Sequence, residues 1–492
     1  MRIAFLPLDG RPITRDAFLS LAEAAGCEVL TPERELLGYL KIPADVEALW
    51  AWVQGPGAEA DLLIASAELL IYGGLVPSRI GHEPAERCLE LTARFGEARR
   101  AAPHRRIFLS ASIMRLPQAA DATEEPDYWA EYGPQIFAYS YHSDRYAETR
   151  DVASREPAAR ALGVIPPAVL ADVRARRARN LAVLRSLVDL AARGILDALL
   201  IGQDDAAEFG WARRDLRAVD AAIRERDVPA RAWVTYGTDE LAVRLLARAV
   251  LAAEHKSPGV EVVYSFPEGC EGIPRYEGQA IDATVTSHIV TAGCRRVAAN
   301  PDLTLFVHNF PGAQEEAPYQ QPYDPRQLDG FFEALGGAAV SARPCALADV
   351  RYSNGADLTM VARLLRVPLA YGIKAYGGWN TMSNTLGMAL AQALVARGGA
   401  GLGFTVQRFL EDWGYQAAVR QRLAAETLAD YPGATAQNLG NAYHACAAAA
   451  RRWLEQEHVP PLERCFGCRI EIDRVDFPWK RLFNVDLAIR LA

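Results

Sequence analysis

The chain has 492 residues, half of them hydrophobic, and carries a formal net charge of −8. That length exceeds one ordinary core and predicts a large barrel with additions, or two to three domains. The apolar share excludes a disordered chain. Net negative charge without a basic stripe excludes nucleic acid as a partner.

In chain order, the first signal is the apolar run at 3–8, directly after Met1-Arg2. It is too short for a signal-peptide core and reads as a first strand. No run of about 18 consecutive apolar residues is present, so no membrane span is expected, and the expected location is cytoplasmic. Further strands are predicted at 27–31, 62–66, 107–111, 198–202, 232–236, 260–265 and 303–307, and near 346–350 and 369–373. Amphipathic helical patterns lie between most of them, as at 43–53, 86–101, 171–192 and 241–255. Such alternation argues for an α/β fold with a mainly parallel sheet. The expected form is a (β/α)8-like barrel, with an open doubly wound sheet as the alternative. Residues 117–165 break the rhythm and read as an insertion that covers a site. Residues 405–492 read as a mainly helical extension with a Pro-rich, Cys-containing end. The expected division is therefore 1–404 and 405–492.

Polar residues repeatedly follow the predicted strands. Asp9 and Arg11 follow the first; Glu68, Tyr72 and Arg79 follow the third; Arg115 follows the fourth. Then come Asp204-Asp205, Asp239-Glu240, His308-Asn309, Asn354 with Asp357, and Trp379-Asn380. In parallel α/β folds the carboxyl ends of the strands hold the active site, so these residues are expected to share one.

Asp204-Asp205 is the sharpest acid pair, ending the apolar run Leu199-Leu200-Ile201-Gly202. Adjacent carboxyls in different environments can divide labour, one protonated and one ionised. That division suits glycoside cleavage, in which one acid orients a 2-acetamido group and the other protonates the leaving oxygen. The bland alternative is a helix cap, which applies still more to Asp239-Glu240 because a helix begins at Leu241. Asp9 and Arg11 form an ion pair or bind substrate. Arg79 and Arg115 bind a carboxylate or phosphate, or form ordinary salt bridges.

The stretch from Tyr376 to Gly387 crowds Gly377, Gly378, Trp379, Asn380 and Asn384 into a strand-to-helix turn. Gly admits close approach, Trp offers a flat apolar face, and Asn both donates and accepts. That mixture suits a polyhydroxylated ligand; alternatively Asn384 caps the next helix.

No P-loop, GxGxxG, GxSxG or HExxH motif is present. Eight scattered Cys fit reduced thiols. Cys465-x-x-Cys468 has His444 and Cys446 upstream, but positions i and i+2 of a helix do not share a face, which disfavours zinc. No cofactor is expected. A Mg²⁺ or Mn²⁺ site from Asp204, Asp205, Asp239 and Glu240 is the alternative.

Several motifs together resemble one bacterial family. They are Pro7-Leu8-Asp9-Gly10-Arg11-Pro12, Tyr72-Gly73-Gly74-Leu75, Gly202-Gln203-Asp204-Asp205, Gly237-Thr238-Asp239-Glu240, Asn354-Gly355-Ala356-Asp357 and Gly378-Trp379-Asn380-Thr381. The family is known only as a domain of unknown function, the DUF4127 group. The resemblance spans Arg2 to about Tyr415 and implies one enzymatic unit without assigning an activity. The Asp-Asp pair and the Trp/Asn turn are also similar to hexosaminidases that work by substrate assistance.

The expected function is a glycoside hydrolase acting on a small sugar or amino-sugar conjugate. Asp204 and Asp205 are its expected catalytic pair. The expected substrate contacts are Asp9, Arg11, Glu68, Tyr72, Arg115, Asp239, Glu240, His308, Asn309, Asn354, Asp357, Trp379, Asn380 and Asn384. A divalent-metal hydrolase of phosphate or amide bonds and a non-catalytic carbohydrate-binding protein are the alternatives.

Overall fold

A computed structural model of the chain describes residues 1–341, 343–366 and 372–492. The chain forms two compact units. The first holds 1–10, 27–245 and 276–279; the second holds 11–26, 246–275 and 280–492. The units do not follow the expected boundary at 404/405.

The first unit is built on one parallel six-stranded sheet. Its strands are β1 (Arg2–Leu6), β2 (Glu28–Leu30), β3 (Leu62–Ser66), β4 (Arg106–Ile113), β5 (Ala198–Gln203) and β6 (Ala232–Tyr236), ordered β2-β1-β3-β4-β5-β6. β3 and β5 are buried at every position. That is why they read as continuous apolar runs and not as alternation: both sheet faces are covered. The core joins Leu63, Ile107, Leu109 and Leu199 to Phe95 of the helix Ala85–Ala101 and Leu187 of the helix Pro167–Ala192. A satellite cluster of Trp129, Ile136, Leu170 and Trp211 packs the insertion.

The second unit has a parallel five-stranded sheet of β7 (Gly259–Tyr264), β8 (Arg295–Arg296), β9 (Leu303–His308), β11 (Cys345–Asp349) and β13 (Ile373–Gly377). Its order is β13-β11-β9-β7-β8. Short β10 (Glu315–Glu316) pairs with β12 (Tyr352–Ser353), and β14 (Ile470–Asp476) forms an antiparallel pair with β15 (Asp486–Leu491). The predicted strand at 369–373 falls mostly outside the described residues; the described strand starts at Ile373. Phe306, Leu347 and Tyr376 share a core with Phe409, Trp413 and Trp453 of the later helices.

The strands thus form open parallel sheets, one in each unit, and not the expected (β/α)8-like barrel. The two sheets share one winding. β2 and β3 flank β1, and β8 and β9 flank β7, so each order reverses beside its first strand. In such sheets ligands bind outside the carboxyl ends, near the reversal. The segment after 404 is largely helical, but it closes with the β14–β15 hairpin.

Candidate functional site

In the first unit, β3, β4 and β5 deliver charged residues to their carboxyl ends. β3 ends at Ser66, whose hydroxyl caps the helix Ala67–Tyr72 by accepting the Glu68 N–H. Gly73 ends that helix in the left-handed region, and a second short helix, Leu75–Ile80, carries Arg79. Arg79 is 2% exposed. Its Nη2 donates to Asp204 Oδ2 at 2.6 Å and its Nη1 to Glu124 Oε2 at 2.9 Å. Arg115, beyond β4, donates from Nε to Glu125 Oε1 at 2.7 Å and from Nη1 to Asp205 Oδ2 at 3.3 Å. The Asp205 N–H donates to Asp204 Oδ1 at 2.9 Å. Two guanidinium groups and four carboxyls therefore form one network, which the insertion closes through Glu124 and Glu125.

Four carboxyls cannot all ionise beside two cations without an energetic penalty. Burial, and then the Asp204 charge, push Asp205 up to about 7. Burial also raises Glu125. Glu68 is pushed up to about 7 by burial, although its carboxyl accepts from the Ser66 hydroxyl and the Ser112 N–H. The Asp205 side chain is 30% exposed, the most open of the four carboxyls paired with the two arginines.

The helix Pro167–Ala192 fixes the loops that hold these groups. Arg176 donates to the Arg79 carbonyl, Arg179 and Asn180 to the Ser78 carbonyl, and Arg177 to the Met114 carbonyl. These arginines are buried. A cavity of about 540 Å³ lies beside the same segments, lined among others by Ile80, His82, Pro126, Tyr128 and Arg176.

The other predicted residues of this unit divide. Gly202, at the end of β5, allows the β6 loop to close in, because a Cβ there would sit 2.0 Å from the Gly237 carbonyl oxygen. Glu240 is fully buried and ion-paired with Arg244. Tyr72 is buried with the Arg179 guanidinium over its ring. Arg115 pairs with acids of its own chain, the salt-bridge alternative of the sequence reading. Asp9 and Asp239 are buried.

The remaining predicted contacts belong to the second unit, so the single shared set expected from sequence is divided between the units. Arg11 is buried, with its guanidinium over the Trp479 ring at 4.9 Å. At the β7/β9 reversal, His308 Nδ1 lies 2.9 Å from Ser265 Oγ and Nε2 lies 2.9 Å from Asp357 Oδ2. Asp357 also caps the helix Leu358–Leu364 and accepts from Tyr323 OH. Asn309 is spent on the Phe266 backbone, accepting its N–H and donating to its carbonyl. His308, Asn309 and Asp357 are wholly buried. All three are engaged in holding the strand ends together. Trp379 is likewise buried, against Phe483, so the flat exposed face expected of it is not present. Asn354 and Asn380 are half-buried and joined through the Asn354 N–H and the Asn380 carbonyl. Asn384 lies inside the helix Met382–Val395; Thr381 holds the cap position.

Asp349, at the end of β11, accepts the Asp357 N–H and is pushed by burial up to about 7 from an ordinary 3.8. A folded-state value above the unfolded one contributes stability below about pH 4, lost as pH rises through about 7. Asp349→Asn cannot ionise. Its melting temperature is expected to fall less than the wild type's between pH 5 and 8, and an unchanged slope in thermal unfolding would assign that proton elsewhere.

Among the described residues, no three His, Cys, Asp or Glu side chains converge as metal ligands. Asp204 and Asp205 are engaged by guanidinium groups, and Glu240 by Arg244. The donor set for Mg²⁺ or Mn²⁺ is therefore not assembled. Neither Cys465 nor Cys468 is in a disulfide. No helix among the described residues is long and apolar enough to cross a membrane.

Fold and site together define an α/β protein of two open parallel sheets, the first bearing a buried Arg-carboxyl network at its strand ends. The chain belongs to the family described as "Protein of unknown function (DUF4127)", which it matches over residues 3–488. Neither the curated proteins nor the solved structures gave a match.

Proposed function

We propose that this chain is a glycoside hydrolase acting on a small sugar or amino-sugar conjugate, with Asp204 and Asp205 as its catalytic pair. One observation carries the reading: two adjacent carboxyls stand in opposed environments. Asp204 is held by buried Arg79 at 2.6 Å, while Asp205 is pushed up to about 7 and is the more open. Asp205 is then the general acid and Asp204 the anion that orients a 2-acetamido N–H. In the first step the acetamido oxygen attacks the anomeric carbon. The glycosidic bond breaks, and its oxygen takes the Asp205 proton. Water then opens the cyclic intermediate and returns a proton to Asp205. The insertion's Glu124 and Glu125 help Arg79 and Arg115 to hold both acids in place.

The test is a turnover screen of purified protein on chromogenic glycosides, including N-acetylhexosaminides, with and without EDTA. Release that survives EDTA supports the reading. Release lost to EDTA and restored by Mn²⁺ transfers the acids to a metal-hydrolase role. Binding of intact glycans without product supports a non-catalytic carbohydrate binder.

A further inference from the structure

In the second unit, the late Trp/Asn turn meets the chain's C-terminal region around Phe483. The Trp379 and Phe483 rings lie 5.3 Å apart, and the Arg420 guanidinium sits 5.1 Å from the Phe483 ring. Gln416 Nε2 donates to the Phe483 carbonyl at 3.2 Å, and Arg420 Nη2 to the Asn354 carbonyl at 2.9 Å. Asn354 is in turn tied to Asn380. Residues far apart in sequence thus share one neighbourhood.

That neighbourhood holds an excess of unsatisfied polar atoms. Asn484 is 3% exposed, yet neither its Nδ2 nor its Oδ1 has a partner. Trp379 Nε1, Gln416 Oε1 and Ser353 Oγ are also buried without partners. A buried polar group left unpaired costs about 1–3 kcal/mol, so such groups are rare unless something completes them. The unpartnered atoms of Asn484, Trp379, Gln416 and Ser353 are uncharged, and they mix donors with acceptors. A phosphate or carboxylate would call for donors alone. Hydroxyl groups, which donate and accept at once, match the mixture. Asn484, with both amide atoms free, suits two neighbouring hydroxyls.

We propose that the second unit binds a neutral sugar at this cluster, with Asn484 and Gln416 as its principal polar contacts and half-buried Asn354 and Asn380 beside them. The site stands on these residues alone and does not depend on the acid pair of the first unit.

The test is saturation-transfer NMR on the full chain with glucose, galactose, mannose and N-acetylglucosamine as probes. At least one probe is expected to bind. Binding should weaken roughly tenfold or more in Asn484→Ala and in Gln416→Ala, and persist in Asp205→Asn. Trp379→Phe, which removes one donor and keeps an aromatic ring, replaces either alanine variant that fails to fold. The proposal is overturned if no probe binds, or if binding survives Asn484→Ala and Gln416→Ala. Loss of binding in Asp205→Asn alone would also overturn it, by moving the sugar to the first unit. Because binding is read without turnover, an inactive acid pair leaves this outcome untouched.

Discussion

Asp205→Asn is expected to lower kcat by about 10²–10⁴-fold, the usual contribution of a positioned general acid, with little change in thermal stability. Stability is spared for a physical reason. Burial disfavours the charged Asp205 carboxylate, and Asn keeps its shape without the charge. Arg115 loses one contact at 3.3 Å but keeps Glu125 at 2.7 Å. The wild-type rate should fall as pH rises through about 7, because the acid form of Asp205 disappears there. Asp204→Asn should also abolish turnover, but with loss of stability, since it takes a carboxylate from buried Arg79. A pH–rate profile on the substrate found in the glycoside screen separates the two. Full activity in Asp205→Asn removes the residue from the mechanism.

Much of the fold was legible because parallel strands covered on both faces leave unbroken apolar runs. The runs at 62–66 and 232–236 became β3 and β6 with the same limits. Strand partners were not legible. Pairing of β1 with β3, or of β9 with β11, is a long-range choice on which local apolarity is silent, so two open sheets were indistinguishable from one barrel. The acid pair was legible because it ends a buried strand. The four contacts from Arg176, Arg177, Arg179 and Asn180 to the site loops were not, since Arg on a long helix ordinarily reads as solvated. His308 and Asp357 were correctly placed at strand ends, but sequence cannot tell a buried brace from a ligand contact. The β14–β15 hairpin was hidden by its charges: Ile470 and Ile472 alternate with exposed acids in a segment taken for helix.

Arg79→Met is expected to cost about 3–5 kcal/mol of folding stability at pH 8, the usual penalty for removing one partner of a buried ion pair. Arg79 bridges Asp204 and Glu124 from a side chain that is 2% exposed, so the variant leaves both carboxylates poorly solvated without that cation. Arg79→Lys should recover part of the loss but not all, because a single ammonium does not reproduce the planar fork that reaches Asp204 through Nη2 and Glu124 through Nη1. Urea unfolding of the three proteins at pH 8 measures both differences. Equal stability of Arg79→Met and wild type at pH 8 would show that the insertion and β5 are held by packing alone, and the opposed environments of Asp204 and Asp205 would then lose their physical cause.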